Sequence, residues 1–317
     1  MTRVLVTGAT GFVGRQLASR LAGFDVVAAV RTPGLQIAGT RTVDVGPIGG
    51  ATRWGDALAG VDVVVHMAAI AHRGDAFQRD NRALYAEVNV SGTIALAEAA
   101  AGAGVRDFIF MSTVGVHGLS TDGRAPFNEE DAFDPRSVYA ESKVAAERGL
   151  SEISARTGLA CAMIRAPLIH GRGAPGNLEA LARAIGKGLP LPFASVANRR
   201  AFLGIDNLSG FIRHRLGSAA GGAAAFIVAD EEQVTTPMFI TLLTEALGRT
   251  PRLFKFPPPL LAGALTVIGR GAMAEGLLSS LEVDTGRARA LGWRPLVSLA
   301  DGLRWSFSGR AAGAAPQ

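Results

Sequence analysis

Tyr139 and Lys143 are four residues apart in a segment that reads Ser-Val-Tyr-Ala-Glu-Ser-Lys. Residues at this spacing lie on one face of a helix, a single turn apart. A tyrosine with its ordinary pKa of about 10 exchanges protons poorly at neutral pH. A cation one turn away favours the phenolate, so we expect Lys143 to lower the pKa of Tyr139 toward the working range. The pair predicts a tyrosine that transfers a proton during catalysis.

A glycine-rich loop near the start of the chain indicates what accompanies this proton transfer. Gly8, Gly11 and Gly14 recur at intervals of three between a predicted strand, Arg3–Thr7, and a predicted helix, Phe12–Ala22. Such glycines permit a tight turn, close approach of the backbone to a pyrophosphate, and close packing of helix on strand. The N–H groups at the start of the helix favour the phosphates. The loop therefore predicts a bound dinucleotide, and with the tyrosine it predicts hydride transfer at a carbonyl or carbinol.

Two side chains bear on which dinucleotide binds. Arg31 follows the second predicted strand, Asp25–Val30, where an acidic residue would bind the ribose 2′-hydroxyl of NAD. A cation suits the 2′-phosphate of NADP, and a solvated surface arginine fits the position equally well. Asp44, in the third predicted strand, Thr42–Val45, would accept from the adenine amine or form a turn. The sequence leaves NADP(H) and NAD(H) open.

Composition excludes several other classes of protein. Apolar residues make up 48% of the 317 residues and charged residues 19%, which is enough apolar material for a sizeable core. The net charge is +5, but the basic residues are scattered, which argues against nucleic-acid binding. A single cysteine, Cys161, cannot form a disulfide within the chain, so we expect a reducing, cytoplasmic compartment. No metal-ligand spacing links it to the histidines, and we expect no metal.

Hydropathy predicts neither a signal peptide nor a transmembrane segment. The most apolar late stretch, Pro257–Leu281, is interrupted by Arg270, Glu275 and several glycines, whereas a spanning helix needs about 20 apolar residues in a row. We expect a buried or interface-forming helix pair there, and a membrane-surface contact stays open as a weaker alternative.

The remaining elements predict an α/β fold with a doubly wound parallel sheet, because apolar strands without polar alternation are separated by helices. The further predicted strands are Val61–His66, Asp107–Met111, Ala160–Arg165 and Ala225–Val228, and the further predicted helices are Asn89–Ala103 and Tyr139–Thr157. We assign residues 1–167 to a dinucleotide-binding Rossmann domain, to which residues 205–228 return. Residues 168–204 and 229–317 form a smaller, mostly helical substrate lobe.

The chain resembles the extended short-chain dehydrogenase/reductase superfamily, in its nucleotide-sugar epimerase/dehydratase group. The resemblance covers nearly the whole chain and rests on six motifs in the expected order: Thr7–Gly14, His66–Ala69, Asn89–Thr93, Met111–Thr113, Tyr139–Lys143 and Ile164–Pro167. Three later segments, Gly188–Pro192, Asn198–Asn207 and Leu291–Pro295, resemble the bacterial branch labelled UDP-glucose 4-epimerase-like, which includes 4-ketoreductases of UDP-linked N-acetyl-6-deoxyhexosamines.

Carried over to this sequence, the resemblance implies that Tyr139 is the catalytic acid/base and that Lys143 binds the nicotinamide ribose. Thr113 would donate a hydrogen bond to the reacting oxygen, with Ser112 as the alternative. Besides the three glycines, Arg31 and Asp44, the implied cofactor contacts are Thr10, Phe12, Val13, Val45, Met67, Ala68, Ala69 and Asn89, the last of which would also stabilise the active-site helix.

The resemblance also implies substrate contacts. Arg200 would clamp a sugar-nucleotide diphosphate, for which a bidentate guanidinium is suited, and Asn177 would contact the same phosphates. His117 stands where the family often has a tyrosine; it would touch substrate or, as we favour, merely fill space. Ala201 replaces a serine that often follows the clamp arginine.

These expectations lead to one main function and three alternatives. We expect NAD(P)H-dependent reduction of the 4-keto group of a UDP-linked 6-deoxyhexose for surface polysaccharide. A UDP-hexose 4-epimerase with bound NAD⁺ would use the same residues. A reductase of small hydrophobic ketones and a non-catalytic dinucleotide-binding protein are weaker alternatives. The resemblance further implies a homodimer formed through Asn89–Ala103 and Tyr139–Thr157.

Overall fold

A computed structural model of the chain describes residues 1–71, 74–217, 221–267 and 271–307, without the side chains of residues 75, 272 and 273. The nine strands are β1 Arg3–Thr7, β2 Asp25–Val30, β3 Arg41–Asp44, β4 Val63–His66, β5 Asp107–Thr113, β6 Ala160–Ala166, β7 Leu168–His170, β8 Phe202–Gly204 and β9 Ala223–Ile227 in these ranges.

Thirteen α-helices accompany the strands in the described part of the chain: α1 Phe12–Arg20, α2 Gly55–Leu58, α3 Asp75–Asp80, α4 Arg82–Tyr85, α5 Gly92–Gly102, α6 Val138–Thr157, α7 Asn177–Gly186, α8 Ile205–Leu216, α9 Thr236–Ala246, α10 Pro258–Val267, α11 Gly271–Leu278, α12 Gly286–Ala290 and α13 Leu299–Phe307. A π-helical turn, Ala86–Ser91, joins α4 to α5, and a 3₁₀ turn, Val114–Val116, follows β5.

Seven strands form one sheet in the order β3-β2-β1-β4-β5-β6-β9, and every neighbouring pair is parallel. This confirms the predicted doubly wound α/β fold. The strand order reverses between β1 and β4, and ligands of open parallel sheets bind at the carboxyl ends of strands beside such a reversal. The fold therefore places the end of the glycine loop and the ends of β4, β5 and β6 around one crevice.

The central strands of the sheet are largely apolar, and both of their faces are covered. Along β1, Val4 and Val6 belong to one core with Leu208 and Phe211 of α8. Leu5 points to the opposite core, which includes Phe108 and Leu150. A third core, built mainly from α7, α9 and α13, lies in the C-terminal part of the chain.

The structure corrects some predicted elements. A second, two-stranded parallel sheet pairs β7 with β8, and neither strand was predicted because each has only three residues. The predicted helix Asn89–Ala103 begins earlier and passes through the π-helical turn before α5 begins at Gly92. The predicted strand Val61–His66 begins at Val63, and the helix predicted to end at Ala22 ends at Arg20.

The late apolar stretch forms α10 and α11, which pack against each other. In the described ranges, none of the helices combines the length and apolar character needed to cross a membrane. The returning segment contributes α8, which packs against α1, and β9, which pairs with β6.

Candidate active site

A cavity of about 860 Å³ opens at the carboxyl ends of the central strands. Its lining residues come from both the sheet and the C-terminal part of the chain. Of the residues singled out from the sequence, it is lined by Gly8, Gly11, Phe12, Val13, Gly14, Met67, Ala69, Ser112, Thr113, Tyr139, Lys143 and Arg200. The glycine loop, the tyrosine–lysine pair and the arginine therefore share one site.

The glycine loop adopts the geometry that a pyrophosphate requires. Gly8 has a left-handed φ of +66°, and a Cβ there would lie 2.7 Å from the backbone N of Ala68. Gly11 precedes α1 in an extended conformation, and no side chain caps the first turn of that helix. A Cβ on Gly11 would meet only Gly8 O within 4 Å. The N–H groups at the start of α1 thus open into the cavity, and the loop fits the diphosphate of a dinucleotide.

A buried chain of hydrogen bonds holds the loop against the end of β4. Thr7 Oγ1 accepts from the backbone N–H groups of Met67 and Ala68, at 3.2 Å each, and lies 2.7 Å from His66 Nδ1. His66 Nε2 lies 3.0 Å from Thr93 Oγ1. Burial, with a smaller effect of Lys143, lowers the pKa of His66 to about 3, so the imidazole is neutral. It can then accept from the Thr7 hydroxyl and donate to Thr93.

The start of α6 is fixed on two sides. Ser137 caps the helix, with its Oγ accepting from the N–H of Ala140 at 3.1 Å. Asn89, in the π-helical turn, donates from Nδ2 to Ser142 Oγ at 3.0 Å, and Ser142 donates to the carbonyl of Tyr139 at 2.7 Å. Asn89 is buried and does not belong to the described cavity lining. Its contacts position the first turn of α6, which carries Tyr139.

Lys143 is buried beneath Tyr139. Its Nζ donates to the carbonyl of Met111 at 2.7 Å and lies 5.8 Å from the centre of the Tyr139 ring. Burial lowers the pKa of Lys143 to about 7, and the charge of Glu147 opposes that shift. Burial, followed by the neighbouring Tyr85, raises the pKa of the Tyr139 phenol above its usual range. The expectation that Lys143 lowers the pKa of Tyr139 is therefore wrong for these side-chain positions, because desolvation of the phenolate dominates.

The two candidate hydroxyls at the end of β5 point to different partners. Thr113 Oγ1 accepts from the N–H of Gly115 at 3.1 Å and keeps its own proton available to the cavity. Ser112 is buried and donates to Glu147 Oε1. Thr113 is therefore the residue placed to donate to a bound substrate, and the Ser112 hydroxyl is engaged behind it.

Behind the cavity, Glu147 is the centre of a buried polar cluster. Arg165 Nη2 donates to Glu147 Oε2 at 2.6 Å, and Arg165 Nη1 lies 2.9 Å from His117 Nε2. His117 is buried, stacks on Phe127 and does not belong to the described lining. The interpretation that His117 contacts substrate is not supported by this position. It fills space against the arginine instead.

The opposite wall of the cavity carries Arg200. Its Nη1 donates to the carbonyl of Ser279 at 2.7 Å. Burial lowers its pKa to about 10, while the charges of Asp122 and Glu275 oppose the shift. Asn177 is exposed at the start of α7 and lies outside the described lining, although Pro175 of the preceding loop contributes to it. Arg200 thus places a partly buried cation on the cavity wall, as the resemblance implied for a diphosphate clamp.

Several predicted cofactor contacts lie away from the cavity lining. Arg31 and Thr10 are exposed, and the Asp44 carboxylate is used locally, accepting from the N–H of Gly46 at 3.0 Å. Val45 packs against a core of the sheet, and Ala68 contributes its backbone to Thr7. The turn-forming alternative for Asp44 is thus the one that the structure shows.

Sequence reasoning did not single out some lining residues. They are Ala71, Gln78, Arg79, Arg82, Val114, Leu119, Arg136, Ser137, Val138, Glu141, Leu168, Glu275 and Leu281, among others. Most come from loops and short helices without periodic patterning. Ser137 alone had a local signal, since serine before a predicted helix is a preferred N-cap.

Comparisons with known proteins agree with this geometry. Residues 4–223 match the NAD dependent epimerase/dehydratase family. A UDP-glucose 4-epimerase of Vibrio cholerae is 33% identical over 308 residues, covering 95% of this chain and 93% of that protein.

Solved structures of similar proteins share the fold over nearly the whole chain. A UDP-N-acetylglucosamine 4-epimerase from Bacillus cereus superposes with a TM-score of 0.78 at 19% identity, covering 98% of this chain and 99% of that one. A Thermus thermophilus UDP-glucose 4-epimerase in complex with NAD superposes with a TM-score of 0.76 at 25% identity, covering 97% and 98%. The chain belongs to the NAD-dependent epimerase/dehydratase family and is an NAD(P)-dependent enzyme of the extended short-chain dehydrogenase/reductase type.

Proposed function

We propose that the protein transfers hydride between a nicotinamide dinucleotide and C4 of a UDP-linked sugar. The observation that carries the proposal is the convergence on one cavity of the glycine loop, Thr113, Tyr139, Lys143 and Arg200. The loop suits the diphosphate of the dinucleotide, and Arg200 suits the diphosphate of the UDP-linked sugar. The tyrosine and threonine between them suit the reacting oxygen.

The roles of the residues follow from their positions. The dinucleotide, when bound, supplies or accepts the hydride. In the reductive direction, the Tyr139 phenol gives its proton to the C4 oxygen, and the Thr113 hydroxyl donates a hydrogen bond to the same oxygen. The carbonyl becomes a carbinol, and the proton on Tyr139 is replaced from solvent. Lys143, beneath the phenol, would hold the cofactor ribose.

For the net reaction, we propose reduction of a 4-keto-6-deoxyhexosamine carried by UDP, for surface polysaccharide. Two features support it. Burial raises the pKa of Tyr139, which favours the protonated phenol that donates to a nascent alkoxide. The cavity lining includes the apolar residues Val114, Leu119 and Leu281, which suit a methyl group better than a hydroxymethyl group.

The second candidate is a UDP-sugar 4-epimerase that retains NAD⁺. It is supported by the names of the Vibrio cholerae and Thermus thermophilus relatives, both called UDP-glucose 4-epimerase. In this reaction Tyr139 takes the proton in the first half-reaction and returns it in the second, with no net consumption of cofactor.

One experiment separates the two. Oxidation of NADPH and NADH is followed at 340 nm with a UDP-4-keto-6-deoxy-N-acetylhexosamine, for the wild type and Tyr139→Phe. The reductase proposal expects turnover that falls by roughly 10²–10⁴-fold in the variant. A preference for NADPH would assign Arg31 to the 2′-phosphate, which its exposed side chain is free to contact. A preference for NADH would leave Arg31 as a solvated surface residue.

The other outcomes are equally informative. Interconversion of UDP-hexoses without net oxidation, by protein that retains NAD⁺, establishes the epimerase and overturns the reductase. If Tyr139→Phe loses neither activity, the reductase and the epimerase proposals are both contradicted. Absence of NAD(P)H oxidation with this substrate, by protein that carries no retained cofactor and does not bind UDP, would leave the small-ketone reductase or a non-catalytic dinucleotide-binding protein as the better interpretation.

Assembly and compartment are part of the same proposal. We propose a cytoplasmic homodimer in which α5 and α6, which pack side by side on one face of the sheet, form the interface. Light scattering of the purified protein tests it, and a monomeric mass at working concentration contradicts it.

A further inference from the structure

The surface of α10 lacks the polar side chains that a solvent-facing helix usually has. The helix reads Pro-Pro-Leu-Leu-Ala-Gly-Ala-Leu-Thr-Val, with no charged residue among its ten. Leu261 is buried and Leu265 is partly buried in the third core. The opposite side carries Leu260, 63% exposed, and Val267, 87% exposed. A surface helix ordinarily places charged or polar residues on that side.

The exposed apolar positions form a continuous stripe. Leu260, Gly263, Ala264 and Val267 are all exposed and are spaced by three, four and seven residues, so they lie on one face of α10. Thr266 is the only polar residue of the helix, and its hydroxyl donates to the carbonyl of Ala262 at 2.9 Å. The helix therefore presents an apolar face to its surroundings.

Apolar exposure extends beyond the helix. Phe254 is 43% exposed, and its backbone N–H donates to the carbonyl of Leu191 at 3.0 Å. Leu189, two residues before that pairing, is 51% exposed. We call the exposed side chains of Leu189, Phe254, Leu260 and Val267, with the α10 stripe between the last two, the apolar patch.

The chain segment that leads into α10 contains several cations and no acidic residue. Arg249, Arg252 and Lys255 are exposed just before α10, and no Asp or Glu occurs between Glu245 and Glu275. In the described part of the chain, none of these three cations has a carboxylate within ion-pair distance. Lys187, also exposed, lies near them because Arg252 donates to the carbonyl of Gly188. An apolar surface edged by unpaired cations is complementary to an anionic lipid surface.

We propose that the apolar patch docks on a membrane surface that contains anionic phospholipid. The helix rests in the plane of the interface: ten residues extend over only about 15 Å, against about 30 Å for the hydrocarbon core. Leu260 and Val267 enter the boundary between headgroups and acyl chains, and Arg249, Arg252 and Lys255 contact lipid phosphates. The inference does not depend on the proposed reaction, since it rests on a surface outside the cavity.

The contact would bring the cavity close to the membrane. α10 packs against α11, and α11 supplies Glu275 and Gly276 to the cavity wall.

Vesicle sedimentation of the full-length protein, without substrate, tests the proposal. The vesicles contain equal parts of phosphatidylglycerol and phosphatidylcholine, with pure phosphatidylcholine as the comparison. We expect binding to the anionic vesicles at low ionic strength and at least about tenfold weaker binding to the neutral vesicles or in high salt. Wild-type protein that stays in the supernatant with anionic vesicles overturns the proposal.

Paired variants identify the surface. Leu260→Gln with Val267→Gln, and separately Arg249→Gln with Lys255→Gln, are expected to weaken binding about tenfold or more. The matched controls are Leu296→Gln, at an exposed leucine elsewhere, and Arg53→Gln with Arg294→Gln, which remove the same charge; both should bind as the wild type does.

Two results would contradict the assignment of the patch to lipid. Unchanged vesicle binding by the Leu260/Val267 variant would place any contact on another surface. A fall from dimer to monomer in that variant, measured by light scattering, would show that the patch is covered by a second copy of the chain. Circular dichroism and turnover of a soluble substrate at the wild-type rate establish that the variant is folded.

Discussion

Gly11 and Gly14 meet different surroundings within the same loop, so substitution should separate folding from cofactor binding. A Cβ on Gly14 would lie 2.2 Å from Gly8 O and 2.7 Å from Ala9 Cα, both backbone atoms. A Cβ on Gly11 would have only Gly8 O nearby, at 3.2 Å, and would project into the cavity.

We expect Gly14→Ala to lower the free energy of unfolding by about 1–3 kcal/mol, because the helix must move off the strand. Gly11→Ala should keep near-wild-type stability and bind NAD⁺ at least about tenfold more weakly, since the methyl group occupies the space of the pyrophosphate. Urea unfolding and titration with NAD⁺ measure the two effects. Equal loss of stability in both variants would contradict this division of roles.

Burial of the Lys143 ammonium in the candidate active site lowers the stability of the fold. The pKa of a lysine falls from its usual value of 10.5 to about 7 at this buried position. Between those two pH values the unfolded chain binds a proton that the folded chain lacks, so stability from this group rises with pH across that window. Below pH 7 the buried ammonium destabilises the fold by a constant amount.

Lys143→Met should therefore be inactive but more stable than the wild type near pH 6, by up to roughly 4 kcal/mol, with the difference shrinking as the pH approaches 10. Urea unfolding at several pH values measures it. Lys187→Met, at an exposed lysine, is the control and should show no such convergence. A wild-type advantage at pH 6 would mean that the hydrogen bond to Met111 outweighs the burial of the charge.

At the scale of the elements, α6 is held to the sheet through Glu147. This carboxylate accepts from Ser112 of β5 and from Arg165 of β6, and it lies one helical turn beyond Lys143. It thus connects the helix that carries the tyrosine to the two strands that border the cavity. Its charge also opposes the loss of the proton from Lys143.

Glu147→Gln should destabilise the protein by about 3–5 kcal/mol, because it leaves the Arg165 guanidinium buried without a counter-charge. We also expect kcat to fall more than substrate affinity, since the position of Tyr139 relative to Thr113 depends on this connection. Glu152→Gln, at an exposed position of the same helix, should change the free energy of unfolding by no more than a few tenths of a kcal/mol. It should leave kcat unchanged. Unchanged unfolding of Glu147→Gln would mean that Arg165 finds another partner.

The elements that the sequence predicted well are those whose signals are local. β1, β2, β4, β5 and β6 are largely apolar runs, and the glycine loop and the Tyr139–Lys143 spacing each have a distinct local pattern. β7 and β8 escaped prediction because two strands of three residues pair over a long sequence separation.

The side-chain partners could not be predicted, because they are tertiary. The sequence shows Arg165, but it does not show that its buried partner is Glu147 on α6. In the same way, His117 follows Thr113 closely in sequence, yet the chain turns its ring into the core beside Phe127. The pKa of Tyr139 is shifted upward by burial among such neighbours, whereas the spacing to Lys143 alone predicted a downward shift.

At the scale of the whole molecule, Arg200 lies where separate parts of the chain meet. Its N–H donates to the carbonyl of Val234 at 2.9 Å, and its side chain donates to Ser279. Among the described residues it has no carboxylate within ion-pair distance, although Asp122 and Glu275 raise its pKa from nearby. A partly buried cation without a direct counter-charge carries a desolvation cost that an anion bound beside it would offset.

Arg200→Gln should consequently leave the ligand-free protein at least as stable as the wild type while weakening UDP binding by about 10²-fold or more. In thermal unfolding, UDP at a hundred times its wild-type Kd adds about 2.7 kcal/mol to the wild type through mass action. The same concentration should add almost nothing to the variant. Arg199→Gln is the matched control, because Arg199 is the exposed neighbour that pairs with Glu282, and it should retain the full UDP-dependent shift. A variant that loses stability without UDP but keeps the shift would make Arg200 a structural residue, and the diphosphate would then have to bind elsewhere in the cavity.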